Sequence, residues 1–367
     1  MPSPSLLPET VQETTRRYEA WVRTHCPLIA ADLAEKHRRM AADPFSFLRG
    51  TFYRWVPLWE AHCPALDAAP QVLGVGDLHV ENFGTWRDTE GRLVWGVNDF
   101  DEAAQVPYTF DLVRLATSAL LVARRNRMRL TPRAICAALL EGYGDGLARG
   151  GAPFVLEENH PTLRSLALSA DRDPGPFWKR LSQLPDGSAS PAVRRLLADR
   201  LPAPALRFRI ARRTAGVGSL GRPRLVAIAA WAGGLAAREV KALLPSAYDW
   251  ARGRTAHPIR IAQLLARAVR CPDPTYAVIR ADGRAWAVRR LAPHCARIAL
   301  GPALKRHDER RLLLAMGAET ANLHLGTATA RRRLLSDLGR RDTGWLHDAA
   351  HAMAGAVEAD WKAWSAR

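Results

Sequence analysis

In the stretch VLGVGDLHVENFGTWRDTEGRLVWGVNDFDEA, residues 72–103, four of the carboxylates, the histidine and one asparagine stand out against apolar runs. Asp77, His79, Glu81, Asn82, Asp99 and Asp101 all lie in or beside segments of strand character. A carboxylate drawn into apolar surroundings is costly unless it is paired or holds a metal. These residue types suit phosphoryl transfer from a nucleotide. One carboxylate orients the attacking hydroxyl, and an Asn/Asp pair holds Mg2+ against the phosphates. Asp77 and Asn82 stand five residues apart on a short loop after one β run, and Asp99 follows a second β run one hairpin later. Asp77 is therefore read as base or hydroxyl-orienter, Asn82 and Asp99 as metal ligands, and Asp101 as an assisting ligand.

A nucleotide also needs a phosphate cradle and a cation. In AGVGSLGRP, Gly216, Gly218 and Gly221 form GxGxxG between two apolar strand-like runs, with Ser219 inside the turn. A dinucleotide-binding fingerprint would start a helix straight after the glycines, whereas RPRLVAIAAW reads as a strand. Strand, glycine turn and strand is the order found in protein kinases. Lys241, one of only five lysines, follows Gly221 by twenty residues in REVKAL and is read as the phosphate-pairing lysine. Its acidic partner is expected in Asp249, with Glu239 second, because the helical segment from Pro258 to Arg270 carries no acid.

The kinase catalytic loop separates its Asp and Asn by the same interval, with the metal-binding Asp beyond a hairpin. GDLHVEN and NDFDEA resemble the Gly-Asp-x-His-x-x-Asn and Ile-Asp-Phe-Asp pair of aminoglycoside phosphotransferases and choline kinases. YTFDLVRLA resembles their Asp-Leu-Ala motif, and the resemblance implies that Asp111 supports the catalytic loop. One departure is that the histidine usual before Gly-Asp is Val75 here. MGAETANLHLG resembles the helix just ahead of the catalytic loop in phosphotransferases.

The order of these parts is inverted, since the catalytic loop precedes the glycine turn. A circular permutation reconciles them. Through PFSFLRG, GDLHVENFG, NDFDEA, DLVRLA, GVGSLG, VKAL and VRRLAP, nearly the whole chain is similar to a bacterial family catalogued as domain of unknown function 2252. The resemblances imply an α+β, two-lobed, kinase-like fold of the aminoglycoside phosphotransferase type, circularly permuted. Residues 1–205 and 301–367 would form the two parts of a helical catalytic lobe, and 206–300 a strand-rich nucleotide lobe. They imply ATP (or GTP) and Mg2+, with a hydroxyl-bearing acceptor whose identity the sequence does not carry.

The surrounding pattern supplies elements for these residues. Residues 9–65 read as helical, and DPFSFLRGTFYRW reads as one helix with Asp43 as cap and Pro44 at its first position. Its Phe45, Leu48, Phe52, Trp55 and Trp59 recur at helical spacing and face a core. Arg49, in FLRG, is open between a phosphate or carboxylate clamp and a helix-end residue. RDTEGR turns a hairpin, and TFDLVRLATSALLVARR and PRAICAALLEGYGDGL read as helices. Residues 150–205 read as loops with short helices, the best linker candidate. YAVIRADGRAWAVRRL is a hairpin turning at Asp282-Gly283, and from Leu304 the pattern is helical again.

A chain of 367 residues, 48% hydrophobic with 12 Trp, can bury one large core or two smaller ones. Met1 to Thr14 lacks the layout of a signal peptide, and Leu225 to Ala237 is too short and Gly-interrupted to span a bilayer. Five widely spaced cysteines without CxxC disfavour a disulfide framework or zinc knuckle. A cytoplasmic location is expected. The formal net charge of +17 invites a nucleic-acid partner, but the excess is arginine spread along the chain, so that partner is not favoured. A non-catalytic pseudokinase-like protein that holds nucleotide or RNA is the chief rival. Asp77-Leu78-His79 also opens like a binuclear metallophosphoesterase, but the later Gly-Asn-His is missing. His79-x-Glu81 mimics a zinc deaminase without its Pro-Cys-x-x-Cys.

Overall fold

The computed structural model describes residues 9–168, 173–203, 205–254, 259–295, 297–298, 300–301 and 304–366. The chain opens with α1 (Val11–His25), α2 (Ala30–Ala42), α3 (Pro44–Gly50), α4 (Phe52–His62) and the single turn α5 (Pro64–Asp67). Thr10 and Glu13 form a capping box at the start of α1. Asp43 caps α3, accepting from the amides of Phe45 and Ser46 at 3.0 Å each. The single helix expected over DPFSFLRGTFYRW is instead two, because Thr51 leaves helical geometry at φ −125°, ψ 38°. The Leu48 carbonyl accepts from the Thr51 amide at 3.4 Å and from the Arg114 guanidinium at 2.8 Å. Phe45, Phe52, Trp55 and Trp59 are buried, so the aromatic stripe is core.

Next come β1 (Gln71–Gly74), β2 (Phe83–Arg87), β3 (Leu93–Val97) and β4 (Ala104–Pro107). β1 pairs antiparallel with β4, which encloses the β2–β3 hairpin between them in sequence. The RDTEGR turn forms as expected, with Gly91 at φ +76°. Two long helices follow, α6 (Tyr108–Asn126) and α7 (Pro132–Arg149), then β5 (Phe154–Val155) on the edge of β3.

The linker stretch contributes α8 (Pro161–Ala167), α9 (Pro174–Ser182) and α10 (Pro191–Ala198). The second sheet is built from β6 (Phe208–Arg212), β7 (Arg224–Trp231) and β8 (Gly234–Leu243). After α11 (Ala247–Ala251) and α12 (Ile261–Arg267) come β9 (Ala277–Ala281) and β10 (Arg284–Leu291). The strand order is β6-β7-β8-β10-β9, antiparallel throughout. The helix expected from Pro258 to Arg270 is the shorter α12, and Pro258 lies outside the described residues.

Alternation along these strands sorts their side chains. Leu225, Ala227, Val240, Ala242, Trp286 and Val288 pack under Val193, Leu196 and Leu197 of α10. On the other face, Val226, Ala237 and Leu291 receive Leu181 of α9. That face also carries Arg224, Glu239, Lys241 and Arg289, by the same period of two. The stretch read as a linker thus covers both faces of this sheet.

The chain ends in α13 (Arg306–His324), α14 (Ala330–Leu338) and α15 (Trp345–Ser365). α13 lies against α7 and β1, and α15 against α6 and α4, so the C-terminal helices complete the core begun by the N-terminal half. Glu319 of α13 accepts from the Val97 amide at 3.1 Å and pins the end of β3. The architecture is α+β, with helices around open sheets. Among the described residues no helix is long and apolar enough to cross a membrane.

Candidate active site

The loop after β1 is held from below by α6. Asp111 accepts from the amides of Val75 (2.7 Å) and Gly76 (2.9 Å) and meets His324 Nε2 at 3.1 Å. His324 in turn meets the Tyr143 hydroxyl at 2.9 Å. Gly76 has φ +78°, and a Cβ there would stand 2.3 Å from the Glu102 carbonyl oxygen, so the loop turns only with glycine. The next residue is Asp77, whose placement follows from this backbone.

Arg114, one helical turn beyond Asp111, is fully buried and donates through Nε to Asp77 Oδ1 at 2.8 Å, with Nη2 on the same oxygen. Its guanidinium stacks over Phe52 and Trp55, 4.9 and 4.7 Å from their ring centroids. Burial pushes the Asp77 carboxyl up to about 7, against the pull of Arg114 and with repulsion from Glu102 and Asp99. Burial, with the charges of Arg49, Arg114 and Arg297, keeps His79 well below its ordinary value and therefore neutral. His79 Nδ1 accepts from the Glu81 amide at 3.2 Å, which leaves the ring proton on Nε2. The Asn82 side-chain carbonyl accepts from the His79 amide at 3.2 Å, and the Asn82 main-chain carbonyl from the Asn98 amide at 2.9 Å. That second bond ties the Asn82 loop to the segment carrying Asp99.

Asp99 and Asp101 follow β3, and Lys241 reaches them from β8. The Lys241 ammonium lies 2.6 Å from Asp101 Oδ1 and 3.3 Å from Asp99 Oδ1. Burial opposes ionisation of Asp99, but Lys241, Arg289 and Arg224 hold its carboxyl below the usual carboxylate range. Its side chain is 45% exposed, toward the interior of the cleft. Asp101 is shifted upward by burial and by the charge of Asp99. Lys241 stands behind the two carboxylates, in a recess with Asn98, Tyr276 and Arg289.

The acids expected to pair Lys241 are engaged elsewhere. Glu239 is held by Arg213, by Arg224 at 3.1 Å and by Arg289 at 2.8 Å. Arg289 sits directly opposite Glu239 in the β8–β10 ladder, so the pairing follows from register. Asp249 lies past the end of β8 on α11 and meets Arg254 at 3.4 Å. The lysine's partners are therefore the carboxylates after β3.

The glycine turn joins β6 to β7 and leans over Asp77. Gly216 and Gly221 take φ of +75° and +92°. A Cβ on Gly218 would stand 3.1 Å from the Arg49 carbonyl and 3.7 Å from Asp77 Oδ2. Ser219 Oγ accepts from Arg224 at 2.7 Å, and the Gly221 carbonyl accepts from the Ile29 amide at 2.9 Å. The turn is thus fastened on both sides.

Between these segments is a cavity of about 650 Å3, within the size range of small-molecule sites. Asp77, Asn82, Asp99, Asp101 and Gly216 to Ser219 line it, together with Arg49, Arg222, Arg224, Arg270, Arg289 and Arg297. Leu265, Ala266, Tyr276, Val278 and Leu291 supply an apolar wall. Among the described residues no three His, Cys, Asp or Glu side chains converge on a metal position. Two carboxylates, Asp99 and Asp101, and the Asn82 amide line the cavity and are the groups that could hold a metal there. Mg2+ is commonly held by one or two carboxylates, with substrate phosphates and water completing its shell. Asp99, Asp101 and Asn82 fit that mode rather than an all-protein cage.

Sequence reading missed Arg114, the arginine cluster that holds Glu239 and the arginines that converge on the cleft. The only signal for Arg114 was its position three residues after Asp111, which puts both on one side of α6. Arg49, left open, pairs with Glu81 at 2.7 Å. No curated protein and no solved structure matches this chain. Residues 28–167 and 190–367 do match the family described as "Uncharacterized protein conserved in bacteria (DUF2252)", and the chain belongs to that family.

Proposed function

We propose that the protein is an Mg2+-dependent phosphotransferase that moves the γ-phosphoryl group of ATP or GTP to a hydroxyl, on a circularly permuted kinase-like fold. The contact that carries this reading is Lys241 against Asp99 and Asp101, since it joins a strand beyond a glycine turn to a carboxylate pair beyond a catalytic-type loop. In kinases the lysine lies on the third strand, and Lys241 is on the third strand of its sheet, counted from the glycine-turn strand β6. The antiparallel pairing of β6 with β7 across that turn supports the same assignment.

Asp77 accepts the proton of the attacking hydroxyl, with Arg114 fixing the carboxylate's orientation. Asp99, Asp101 and the Asn82 amide oxygen would hold Mg2+, which, when bound, neutralises charge on the transferring phosphoryl group. Lys241 moves from the carboxylates to phosphate oxygens as nucleotide enters. Arg224 and Arg289, braced by Glu239, keep the sheet face cationic beneath the phosphates.

One observation favours the rival, a protein that holds nucleotide without turnover. Lys241 is closed on Asp101, and the Asn82 amide oxygen is used inside its own loop. Calorimetric titration with ATP separates the readings when paired with ADP release. Binding that requires Mg2+, with ADP formed in the presence of a hydroxyl acceptor, is the expected result. Mg2+-dependent binding without turnover against a broad acceptor panel favours the rival. No nucleotide binding at millimolar concentration removes both.

A further inference from the structure

The wall beside Asp77 has a charge that bears on the acceptor. Glu81, four residues beyond Asp77, is met by Arg49 at 2.7 Å and Arg297 at 2.5 Å, with Arg125 at 3.9 Å. Arg125 also faces Asp43 at 3.6 Å, where Asp43 is already spent as the cap of α3. Arg49 and Arg297 both line the cleft, and between them they have one carboxylate. A net positive charge therefore remains on the wall. Arg49 is the more buried of the two, at 13% exposure, and its Nε–H has no hydrogen-bond partner among the described residues. Its guanidinium fork is not saturated by Glu81.

Arg49 is also close to the chemistry. Its carbonyl lies against Gly218, as does Asp77 Oδ2, so Arg49, the glycine turn and the proposed base meet at one corner. Phe45 packs beneath both Arg49 and Arg125, with centroids 5.6 and 5.0 Å from the guanidinium carbons, and fixes them without neutralising them. Of the titratable neighbours, His79 is neutral, Asp77 is paired with Arg114, and Asp99, whose charge also acts on Arg49, is paired with Lys241.

We infer that the acceptor is an anionic hydroxyl compound, bearing a phosphate or carboxylate that Arg49 and Arg297 bind while its hydroxyl faces Asp77. An oxyanion takes the guanidinium forks bidentately, and Glu81 then serves as the group that holds them open in its absence. A cationic acceptor, such as an aminated sugar, would meet two guanidiniums at the same place. This inference rests on the phosphotransferase reading.

The test titrates glycerol, glycerol 3-phosphate, glycerate and 3-amino-1,2-propanediol into protein saturated with Mg2+ and a non-hydrolysable ATP analogue. The analogue keeps added phosphate out of the nucleotide's own subsite. Expected is binding of the anions about tenfold tighter than of glycerol, the scale of one charge-assisted hydrogen bond. The amine should bind more weakly than glycerol. Arg297→Gln should abolish the preference, Arg297→Lys should keep part of it, and comparison of the two anions separates phosphate from carboxylate. Equal binding of all four, no binding of any, or preference for the amine overturns the inference while leaving the nucleotide reading intact. Failure of the analogue itself to bind overturns that reading, and this one with it.

Discussion

Asp77 carries the most consequence of any single residue. Its carboxyl is pushed up to about 7, chiefly by burial, whereas an unfolded aspartate titrates near its ordinary value of about 4. The folded state therefore holds this proton more tightly than the unfolded chain. Its contribution to stability is complete below the ordinary value and is lost as pH rises through about 7. Asp77→Asn should flatten the fall in melting temperature across that window, compared with the parent protein at each pH. An unchanged slope means Asp77 does not titrate as described. As the proposed base it must be unprotonated, so turnover, on that reading, should rise with pH through the same region, with an acid limb near 7. Asp99 makes the opposite case, being held ionised by Lys241, Arg289 and Arg224. If the proposed function holds, Asp99→Asn removes a hard anionic Mg2+ ligand and should erase the gain in ATP affinity given by Mg2+, while the fold persists. If Mg2+ enhances binding of that variant as in the parent, Asp99 is not a ligand.

Among the elements, the helix pair α7 and α13 sets how closely the C-terminal part lies on the N-terminal half. Gly142 and Gly317 allow backbone-to-backbone approach, since a Cβ on Gly317 would stand 2.1 Å from the Leu139 carbonyl oxygen. Backbone cannot move aside as a flexible side chain can. Gly317→Ala should destabilise by roughly 1–3 kcal/mol in urea unfolding, despite alanine's better helix propensity. Gly355, on α15, has nothing within 4 Å of a Cβ, so Gly355→Ala should stabilise by up to about 1 kcal/mol. Equal effects at the two positions would mean propensity, not approach, decides. Elements were legible where local chemistry determines them. The Asp282-Gly283 turn takes φ of +51° and +70°, as its dipeptide implies. The break at Thr51 was not legible, since the Arg114 guanidinium that meets the Leu48 carbonyl beside it arrives from the distant α6. Nor was the docking of α9 and α10 on the sheet, because the stretch that carries them is rich in Pro, Gly and Asp and reads as loops with short helices. At the site, the Asp77, Asn82 and Asp99 spacing was visible because one short stretch carries it. The partners of Lys241 and Glu239 were not, since strand register across distant segments sets them.

At the scale of the whole molecule, a large core that reaches the second sheet through Leu243, Ala285 and Ala287 lies beside a smaller core under α10, and a run of polar contacts joins their elements near the cleft. Glu102 is central to it. Glu102 accepts from the Ala247 amide at 2.6 Å and the Ser246 hydroxyl at 3.1 Å, and it faces Arg222 at 3.6 Å. Arg222 donates onward to the Tyr18 hydroxyl at 2.9 Å, while Asp32 accepts from Thr214 at 3.0 Å. Such a seam transmits unfolding from one core to the other only while its buried groups are satisfied. Removing Glu102 leaves Arg222 as a buried cation without its carboxylate, a change that costs several kcal/mol in comparable pairs. Glu102→Gln keeps the shape and the Ser246 bond but drops the charge. Calorimetry of the parent should give one cooperative transition, and Glu102→Gln should split it, the core under α10 melting first because it is the smaller. On the proposed function, nucleotide bound in the cleft would stabilise only the state in which both cores are folded. At a hundred times its dissociation constant, Mg2+ with ATP adds about 2.7 kcal/mol, enough to draw the split transitions back together. A single unshifted transition in Glu102→Gln would place the coupling outside this seam. A split that ATP does not close would mean that nucleotide, if bound, touches one core alone.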